Sequence, residues 1–265
     1  MSAPLLELVN VSKTFQIPRV RRDTVREHVF GLFDRQRYDP LRALDDVSLA
    51  VQGGETLGIM GRNGCGKSTL LKVLCGIYAV DAGDVRVRAG ITPILELGVG
   101  WNPELDAIDN VYLLGSVMGL SLAAIRVSLD DILGFAELER FARLPLKHYS
   151  SGMASRLAYA VAFRAVREVL VLDEIFAVGD AGFRARCEQR YRELHRAGHT
   201  VVLVSHDPRV VSSFCSRALL MDAGRVVFEG SGEQVAERYL RVTTDDAAPG
   251  AGDGTAAAAG GGAGA

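Results

Sequence analysis

The sequence predicts an α/β fold whose core is a mainly parallel β-sheet covered by helices on both faces. Two observations support this prediction. Short apolar runs, typical of buried strands, recur at residues 55–60, 169–172 and 200–205. Helix-like segments separate them, among them the alanine-rich stretch 153–168, and such alternation is typical of βαβ units. Because the carboxyl ends of parallel strands meet at one edge of a sheet, we expect ligands to bind there.

The composition is that of a globular chain without a strong charge bias. Apolar residues make up 48% of the 265 residues, which is enough for a packed core. The formal net charge is -2, so no global field attracts nucleic acid and we expect no nucleic-acid partner. No apolar run approaches the roughly 20 residues of a membrane-spanning helix, so any membrane role is expected to need a second chain. The cysteines are widely spaced, which favours buried thiols in a reducing compartment over a zinc site.

Two strand-like segments near the N-terminus, residues 5–11 and 47–51, flank an unusual insertion. In residues 19–37 apolar side chains recur at positions i, i+4, i+7 and i+8, which lie on one face of a helix. These apolar residues are Val25, Val29, Leu32 and Phe33, and the arginines around them include Arg21, Arg22, Arg26, Arg35 and Arg37. The insertion is therefore predicted to form a basic amphipathic helix.

The chain is predicted to consist of one domain, residues 1–242, followed by a tail. Residues 121–148 have helical periodicity that is broken at Pro145, so part of the domain is expected to be helical. From Thr243 onwards the chain contains only alanine, glycine, aspartate, threonine and proline. Such a segment has too little apolar surface to offset the entropy of ordering. Residues 243–265 are therefore predicted to be disordered.

A glycine-rich segment between the strand at 55–60 and the following helix matches the phosphate-binding pattern G-x-x-x-x-G-K-[ST]. Its residues are Gly61, Arg62, Asn63, Gly64, Cys65, Gly66, Lys67, Ser68 and Thr69. The glycines let backbone N–H groups turn towards phosphate oxygens, and the helix N-terminus adds the positive end of its dipole. Lys67 is expected to reach the outer phosphates, and Ser68 is expected to bind Mg²⁺.

A pair of acidic residues, Asp173 and Glu174, directly follows the apolar run 169–172. This position brings both carboxylates to the sheet edge where the glycine-rich loop opens. Asp173 suits a water-mediated contact to Mg²⁺, and Glu174 suits a base that polarises an attacking water. Taken alone, such a pair is more often a solvated strand end or a helix cap. The phosphate-binding pattern favours the catalytic interpretation.

Further motifs, in this order along the chain, resemble those of ABC ATPases. Residues 149–153, Tyr-Ser-Ser-Gly-Met, are similar to the LSGGQ-type signature of that family. Residues 177–180 resemble its D-loop and residues 204–207 resemble its H-loop. The resemblance covers about residues 5–232. It implies the P-loop ABC ATPase fold, with a parallel sheet core, an antiparallel β subdomain and a helical signature subdomain at residues 100–165.

The resemblance also implies a set of functional roles. The nucleotide is ATP with Mg²⁺, and the working form is a homodimer. Ser150 and Gly152 are implied to close over the γ-phosphate of ATP held by the other subunit, and His206 is implied to contact the γ-phosphate of its own. Either Phe15 or Tyr38 could stack on adenine, and Tyr38 is preferred. The strand end near Glu96, where the family usually has a glutamine, has none here.

Three stretches, residues 96–105, 149–153 and 173–183, are similar to the ATPases of bacterial polysaccharide exporters, which export O-antigen, capsule or teichoic acid polymers. An insertion like residues 19–37 is also usual in that group. This resemblance implies a peripheral subunit at the cytoplasmic face of the inner membrane that powers export of a lipid-linked glycan. It further implies an integral membrane permease as a partner, with glycan or lipid headgroups near the insertion.

Two alternatives stay open at this point. The first is the ATPase of another ABC exporter, for lipid, drug or protein. The second is a soluble ABC protein that acts on ribosomes or DNA, although the paired cassettes or long coiled coils typical of those proteins do not occur in this sequence. Copurification with a permease, as opposed to ribosomes, would distinguish them.

Overall fold

A mainly parallel sheet, an antiparallel sheet and a group of helices make up the part of the chain that the computed structural model describes, which is residues 3–18, 38–95, 100–173 and 180–245. Several sequence predictions lie outside these ranges. They concern the insertion at 19–37, Glu96, Glu174, most of the D-loop motif and the tail from residue 246 onwards.

The central sheet has the strand order β5-β6-β7-β3-β8-β9. Its members are β3 (Thr56–Gly61), β5 (Ile91–Ile94), β6 (Val169–Asp173), β7 (Thr200–Val204), β8 (Arg217–Asp222) and β9 (Arg225–Gly230). Every neighbouring pair is parallel except β8 and β9, which form an antiparallel hairpin. The prediction of a mainly parallel sheet is confirmed.

The antiparallel sheet has the order β2-β1-β4 and packs on one face of the central sheet. Its strands are β1 (Leu6–Pro18), β2 (Tyr38–Val51) and β4 (Ala82–Val87). The first two form a long ribbon in which Pro18 pairs with Tyr38, so the insertion leaves and rejoins the fold at the ribbon's far end.

The helices are α1 (Lys67–Leu74), α2 (Ala107–Val117), α3 (Leu122–Ala136), α4 (Ser151–Arg164), α5 (Ala181–Arg196), α6 (Pro208–Phe214) and α7 (Gly232–Asp245). Helices α2, α3 and α4 pack around an apolar cluster of their own, within the range predicted for the helical subdomain. None of the helices in the described ranges is long and apolar enough to cross a bilayer.

The central strands are buried on both faces because successive side chains point to opposite sides. In β6, Val169 and Val171 join the cluster that contains α1 and the antiparallel sheet. Leu170 and Leu172 join the opposite cluster, which contains α4 and α5. Each buried side chain of this kind contributes about 1.5–3 kcal/mol to the free energy of folding. The two apolar clusters thus fix the sheet between helical layers and leave its carboxyl edge for the loops.

The predicted boundary between domain and tail is wrong by three residues, because α7 continues to Asp245. Two threonines at the end of α7 bond back to the preceding turn. The Thr243 hydroxyl donates to the carbonyl oxygen of Tyr239 at 2.9 Å, and the Thr244 hydroxyl donates to that of Leu240 at 2.8 Å. Such bonds give the hydroxyl groups partners within the helix, and composition alone does not show them.

Removal of residues 246–265 is expected to leave the melting temperature within about 1 °C of the full chain, because these residues contain no large apolar side chain to bury. Differential scanning calorimetry of both chains measures this. A fall of several degrees, equivalent to about 1–2 kcal/mol in a chain of this size, would show that the segment docks on the domain.

Candidate functional site

The glycine-rich loop leaves the carboxyl end of β3 and enters α1 through a tightly confined path. Gly66 has φ +107, and a Cβ atom there would lie 2.4 Å from the carbonyl oxygen of Ala43. A Cβ at Gly61 would lie 2.4 Å from the carbonyl oxygen of Met221. Both distances are shorter than any real contact of a Cβ atom, so only glycine fits at either position. The neighbouring strands therefore set the curvature of the loop.

The turn between β8 and β9 is hydrogen-bonded to this loop and to strand β2. The Gly224 N–H donates to the carbonyl oxygen of Cys65 at 3.0 Å, and the Gly224 carbonyl accepts from the Asp45 N–H at 2.9 Å. Ala223 adopts φ +43 beside it. This support was not predicted, because hairpin turns usually place asparagine, aspartate or glycine at the position with positive φ that Ala223 occupies.

Lys67 lies at the start of α1 with its side chain buried inside the loop. Its ammonium group donates to the carbonyl oxygens of Gly61 at 2.8 Å and Arg62 at 2.9 Å. The sulfur of Cys65 lies 4.0 Å from the same Nζ. Burial raises the pKa of the Cys65 thiol, so the thiol is neutral. The Cys65 side chain is buried inside the loop and contributes to packing there. Arg62 and Asn63 are exposed at the loop's outer side, and Thr69 is half-buried.

Ser68 and Asp173 meet next to the loop. The Ser68 hydroxyl donates to the Asp173 carboxylate at 3.3 Å, which joins the first turn of α1 to the end of β6. Hydroxyl and carboxylate oxygens are the hard ligands that Mg²⁺ prefers, and Mg²⁺ at phosphate sites usually takes one or two protein ligands besides phosphate and water. The two side chains that were predicted to bind the metal are thus adjacent, and their chemistry fits it. Glu174 follows Asp173 and lies outside the described residues.

His206 lies at the same sheet edge as Asp173. In the ladder between β6 and β7, Asp173 pairs with Val204, two residues before His206. The His206 side chain is exposed at the start of the loop into α6. Its neighbour Asp207 caps α6 by accepting from the Arg209 N–H at 2.9 Å, and hydrogen bonding from the Arg209 side chain holds the pKa of Asp207 below its usual value. The loop is therefore anchored directly after His206.

Ser150 and Gly152 lie on a different part of the surface, at the start of α4. The Ser150 hydroxyl caps the helix by accepting from the Met153 N–H at 3.1 Å, and Ser150 is exposed. Gly152 sits in the first turn. Apart from chain neighbours and the backbone of its own helix, the nearest described atom to a Cβ at Gly152 would be Ser150 Oγ, at 3.8 Å. The fold of this subunit therefore has room for a larger residue at position 152.

The two candidate adenine-stacking rings have different surroundings. Phe15 contacts the ring of Tyr78 edge-on, with 5.3 Å between centroids, and Lys13 lies 5.6 Å from the Phe15 centroid. Tyr38 is 51% exposed at the far end of the β1–β2 ribbon. Phe15 thus uses part of its surface for packing, whereas half of Tyr38 is open to solvent. Tyr38 as the stacking ring stays a prediction.

Relatives of known class match nearly the whole chain. The chain is 38% identical over 242 residues to the ABC transporter protein AbcA of Aeromonas salmonicida, covering 91% of this chain and 78% of that protein. It is 32% identical to the O-antigen export system ATP-binding protein RfbB of Klebsiella pneumoniae, covering 89% and 97%. It is 36% identical to the teichoic acids export ATP-binding protein TagH of Lactiplantibacillus plantarum, covering 91% and 65%.

The fold agrees with these sequence matches. A solved dimeric ATP-binding cassette in a post-hydrolysis state, bound to ADP and Pi, superposes with a TM-score of 0.69 at 25% identity and covers 85% of this chain and 98% of that one. The sequence pattern that defines the ABC transporter family matches residues 44–177, which include the glycine-rich loop, Asp173 and the start of α4. This chain belongs to the ABC transporter family.

Proposed function

We propose that this ABC ATPase binds and hydrolyses MgATP as a homodimer, and that hydrolysis drives export of a polysaccharide. The observation that carries the ATPase step is the meeting of Lys67, Ser68 and Asp173 at the carboxyl edge of the central sheet. The names of the relatives supply the substrate class.

Nucleotide binding would replace the hydrogen bonds that Lys67 makes to carbonyl oxygens with hydrogen bonds to phosphate oxygens. Its ammonium group now bonds two neutral carbonyl oxygens, and phosphate oxygens would replace them with stronger, charge-assisted bonds. Ser68 and Asp173 would hold Mg²⁺, which neutralises charge on the phosphates when it is bound. Glu174 would polarise the attacking water, and His206 would contact the γ-phosphate from the adjacent strand end. Of these residues, Lys67, Ser68, Asp173 and His206 lie within the described ranges, at one edge of the central sheet.

The dimer proposal rests on Ser150 and Gly152. The fold of one subunit leaves open space beside Gly152, and Ser150 is exposed. A phosphate-bearing surface of the partner subunit would fit into that space at the start of α4. The N–H groups of the first turn and the positive end of the helix dipole suit a phosphate.

The substrate proposal follows the relatives. Proteins named for O-antigen export and for teichoic acid export are 32% and 36% identical to this chain. Both polymers are polysaccharides or related glycopolymers, and we infer a lipid-linked glycan as the cargo. This subunit would lie at the cytoplasmic face of the bacterial inner membrane as a peripheral protein, and its partner there would be an integral membrane permease. Residues 19–37 would lie near that permease or near lipid headgroups.

The ATPase and export steps are tested separately. Purified chain with MgATP should release phosphate, and the rate should rise with the square of protein concentration at low concentration if a dimer is the active form. Copurification with a permease supports the exporter, whereas copurification with ribosomes would contradict it. Loss of surface glycopolymer in a deletion strain, restored by the wild-type gene, supports polysaccharide as the cargo.

Replacing Arg21, Arg22 and Arg26 with glutamate should sharply reduce export and permease-stimulated ATPase while the isolated subunit keeps its basal rate. Each basic residue near an anionic surface contributes about 1 kcal/mol, so reversal of three charges opposes binding strongly. Export is measured as polymer at the cell surface. Export at the parental rate, or unfolding of the isolated subunit, would contradict an interface role for the insertion.

A further inference from the structure

A cluster of charged side chains joins three helices behind the start of α4. Arg156 donates to the Glu137 carboxylate at 2.7 Å and also to the Asp180 carboxylate. Arg186 pairs with the same Glu137 at 2.5 Å. These residues, Arg156, Glu137, Asp180 and Arg186, are called the Arg156 cluster below. It connects the end of α3, the middle of α4 and the start of α5.

Each carboxylate of the cluster sits at a helix end. Glu137 terminates α3 in the left-handed region at φ +58, where glycine is the usual residue. Its carboxylate lies between two guanidinium groups, and hydrogen bonding from Arg186 is the main reason that its pKa is below the usual value. A glycine would suit the backbone better but would remove both ion pairs. The side chain at position 137 therefore has a role that the turn itself does not require.

The Asp180 carboxylate makes two separate interactions. One of its oxygens caps α5 by accepting from the Phe183 N–H at 2.9 Å, and the other pairs with Arg156. The cap orients the carboxylate, so Arg156 binds a group that is already fixed to α5. Asp180 follows the acidic end of β6 by seven positions (180 minus 173).

Arg156 itself contacts two carboxylates and one aromatic ring. Its side chain is only 19% exposed, and the guanidinium lies 5.4 Å from the centroid of the Phe183 ring. It occupies α4 six positions after Ser150 (156 minus 150). A planar guanidinium with several donors can bond two carboxylates at once, whereas a lysine ammonium acts as a point charge. The geometry thus requires arginine in particular.

We propose that Arg156 is a positioning residue that fixes the start of α4, with Ser150 and Gly152, relative to the start of α5, and so sets the rate of ATP hydrolysis without setting ATP affinity. The inference rests on the proposed function. Ser150 and Gly152 would act on ATP in the other subunit, whereas α5 follows the acidic strand end of the same subunit. Arg156 therefore fixes Ser150 and Gly152, which would act on ATP in the partner subunit, relative to the acidic end of β6 in its own subunit. The contacts of Lys67 with the loop do not involve it.

The cluster is poorly suited to a purely stabilising role. Glu137 and Asp180 are 52% and 62% exposed, and ion pairs with exposed carboxylates contribute little to folding. Small errors in the position of catalytic groups, by contrast, cost a large factor in rate. Loss of Arg156 should therefore affect turnover far more than stability.

The test compares R156Q, R156K and D180N with the wild type in the full chain. R156Q should lower kcat about tenfold or more, while KM and the Kd of a fluorescent ATP analogue change less than about threefold. R156K should recover only part of the rate. Asparagine caps helices as well as aspartate, so D180N keeps α5 capped but loses the ion pair, and it should lower kcat to a similar degree. The double variant R156Q/D180N should be no slower than the slower single variant.

R164A is the matched control, since Arg164 lies on the same helix, is exposed and belongs to neither cluster nor site. It should keep the wild-type kcat. Wild-type kcat in R156Q, a loss of affinity in place of rate, or additive losses in the double variant would overturn the proposal. If R156Q fails to fold, D180N alone decides, because wild-type kcat in D180N overturns the proposal too. A wild-type chain without ATPase activity would overturn the proposed function and this inference together, whereas an active wild type beside an unaffected R156Q overturns only the inference.

Discussion

Glu174→Gln is expected to lower ATP turnover at least about 100-fold and to leave ATP binding intact, because a general base normally contributes that much to the rate. Glutamine keeps the size of the side chain but does not accept a proton. The loop, Lys67 and the pair Ser68 and Asp173 are unchanged, so MgATP still binds. Because hydrolysis would be needed to separate the subunits, the variant should accumulate as an ATP-bound dimer.

Phosphate release measures the turnover of this variant, and gel filtration with ATP measures the dimer. Lys67→Ala is the contrasting variant, since it should lose ATP binding and stay monomeric under the same conditions. Glu174→Asp shortens the same carboxylate and should retain more activity than the glutamine variant. Turnover of Glu174→Gln within about tenfold of the wild type would show that Glu174 is not the base.

Three strands of the central sheet, β3, β6 and β7, were predictable because each carries a continuous apolar run. Strand β6 shows why, since Val169 and Leu170 face opposite apolar clusters and both must be apolar. The glycine-rich loop was predictable for a similar reason. Its pattern is local, and it lies between a strand and a helix as the pattern requires. The adjacency of Ser68 and Asp173 then follows from the parallel sheet.

The supports of the site were not predictable in the same way. Gly224 bonds Cys65 from a hairpin more than 150 positions later in the chain, and no local periodicity reports such a pairing. The Arg156 cluster joins charged residues of three helices, and a charged residue on a helix is most often simply solvated. The last residues of α7 include threonines whose hydroxyl bonds to the preceding turn are not visible in composition. In each case the missing information is long-range or geometric.

Gly66 shows how a local motif depends on a distant strand. Its pattern position is evident from the sequence, but the reason that only glycine fits is the carbonyl oxygen of Ala43 in β2. Ala43 is 23 positions earlier (66 minus 43). A larger residue at position 66 therefore strains both the loop and its contact with the antiparallel sheet.

Gly66→Ala is expected to raise the Kd for ATP more than about tenfold and to lower the melting temperature by roughly 5 °C. The left-handed backbone alone costs about 1–2 kcal/mol for a residue with a Cβ atom, and the contact at 2.4 Å adds to it. In a chain of this size each kcal/mol corresponds to about 2–4 °C. Relief of the contact would require the loop to move away from β2, which would displace the N–H groups that are proposed to bind phosphate.

Gly76→Ala is the control for the cost of a Cβ atom in a left-handed backbone conformation without a steric clash. Gly76 follows α1 with φ +71, and no described atom lies within 4 Å of where its Cβ would be. It should therefore lose about 1 kcal/mol of stability, seen as a shift of about 2–4 °C by calorimetry, and keep the wild-type Kd for ATP. If Gly66→Ala behaved like Gly76→Ala in both measurements, the loop would tolerate displacement from Ala43, and its curvature would not be what selects phosphate. A loss of affinity confined to Gly66→Ala would instead tie phosphate binding to the contact between the loop and β2.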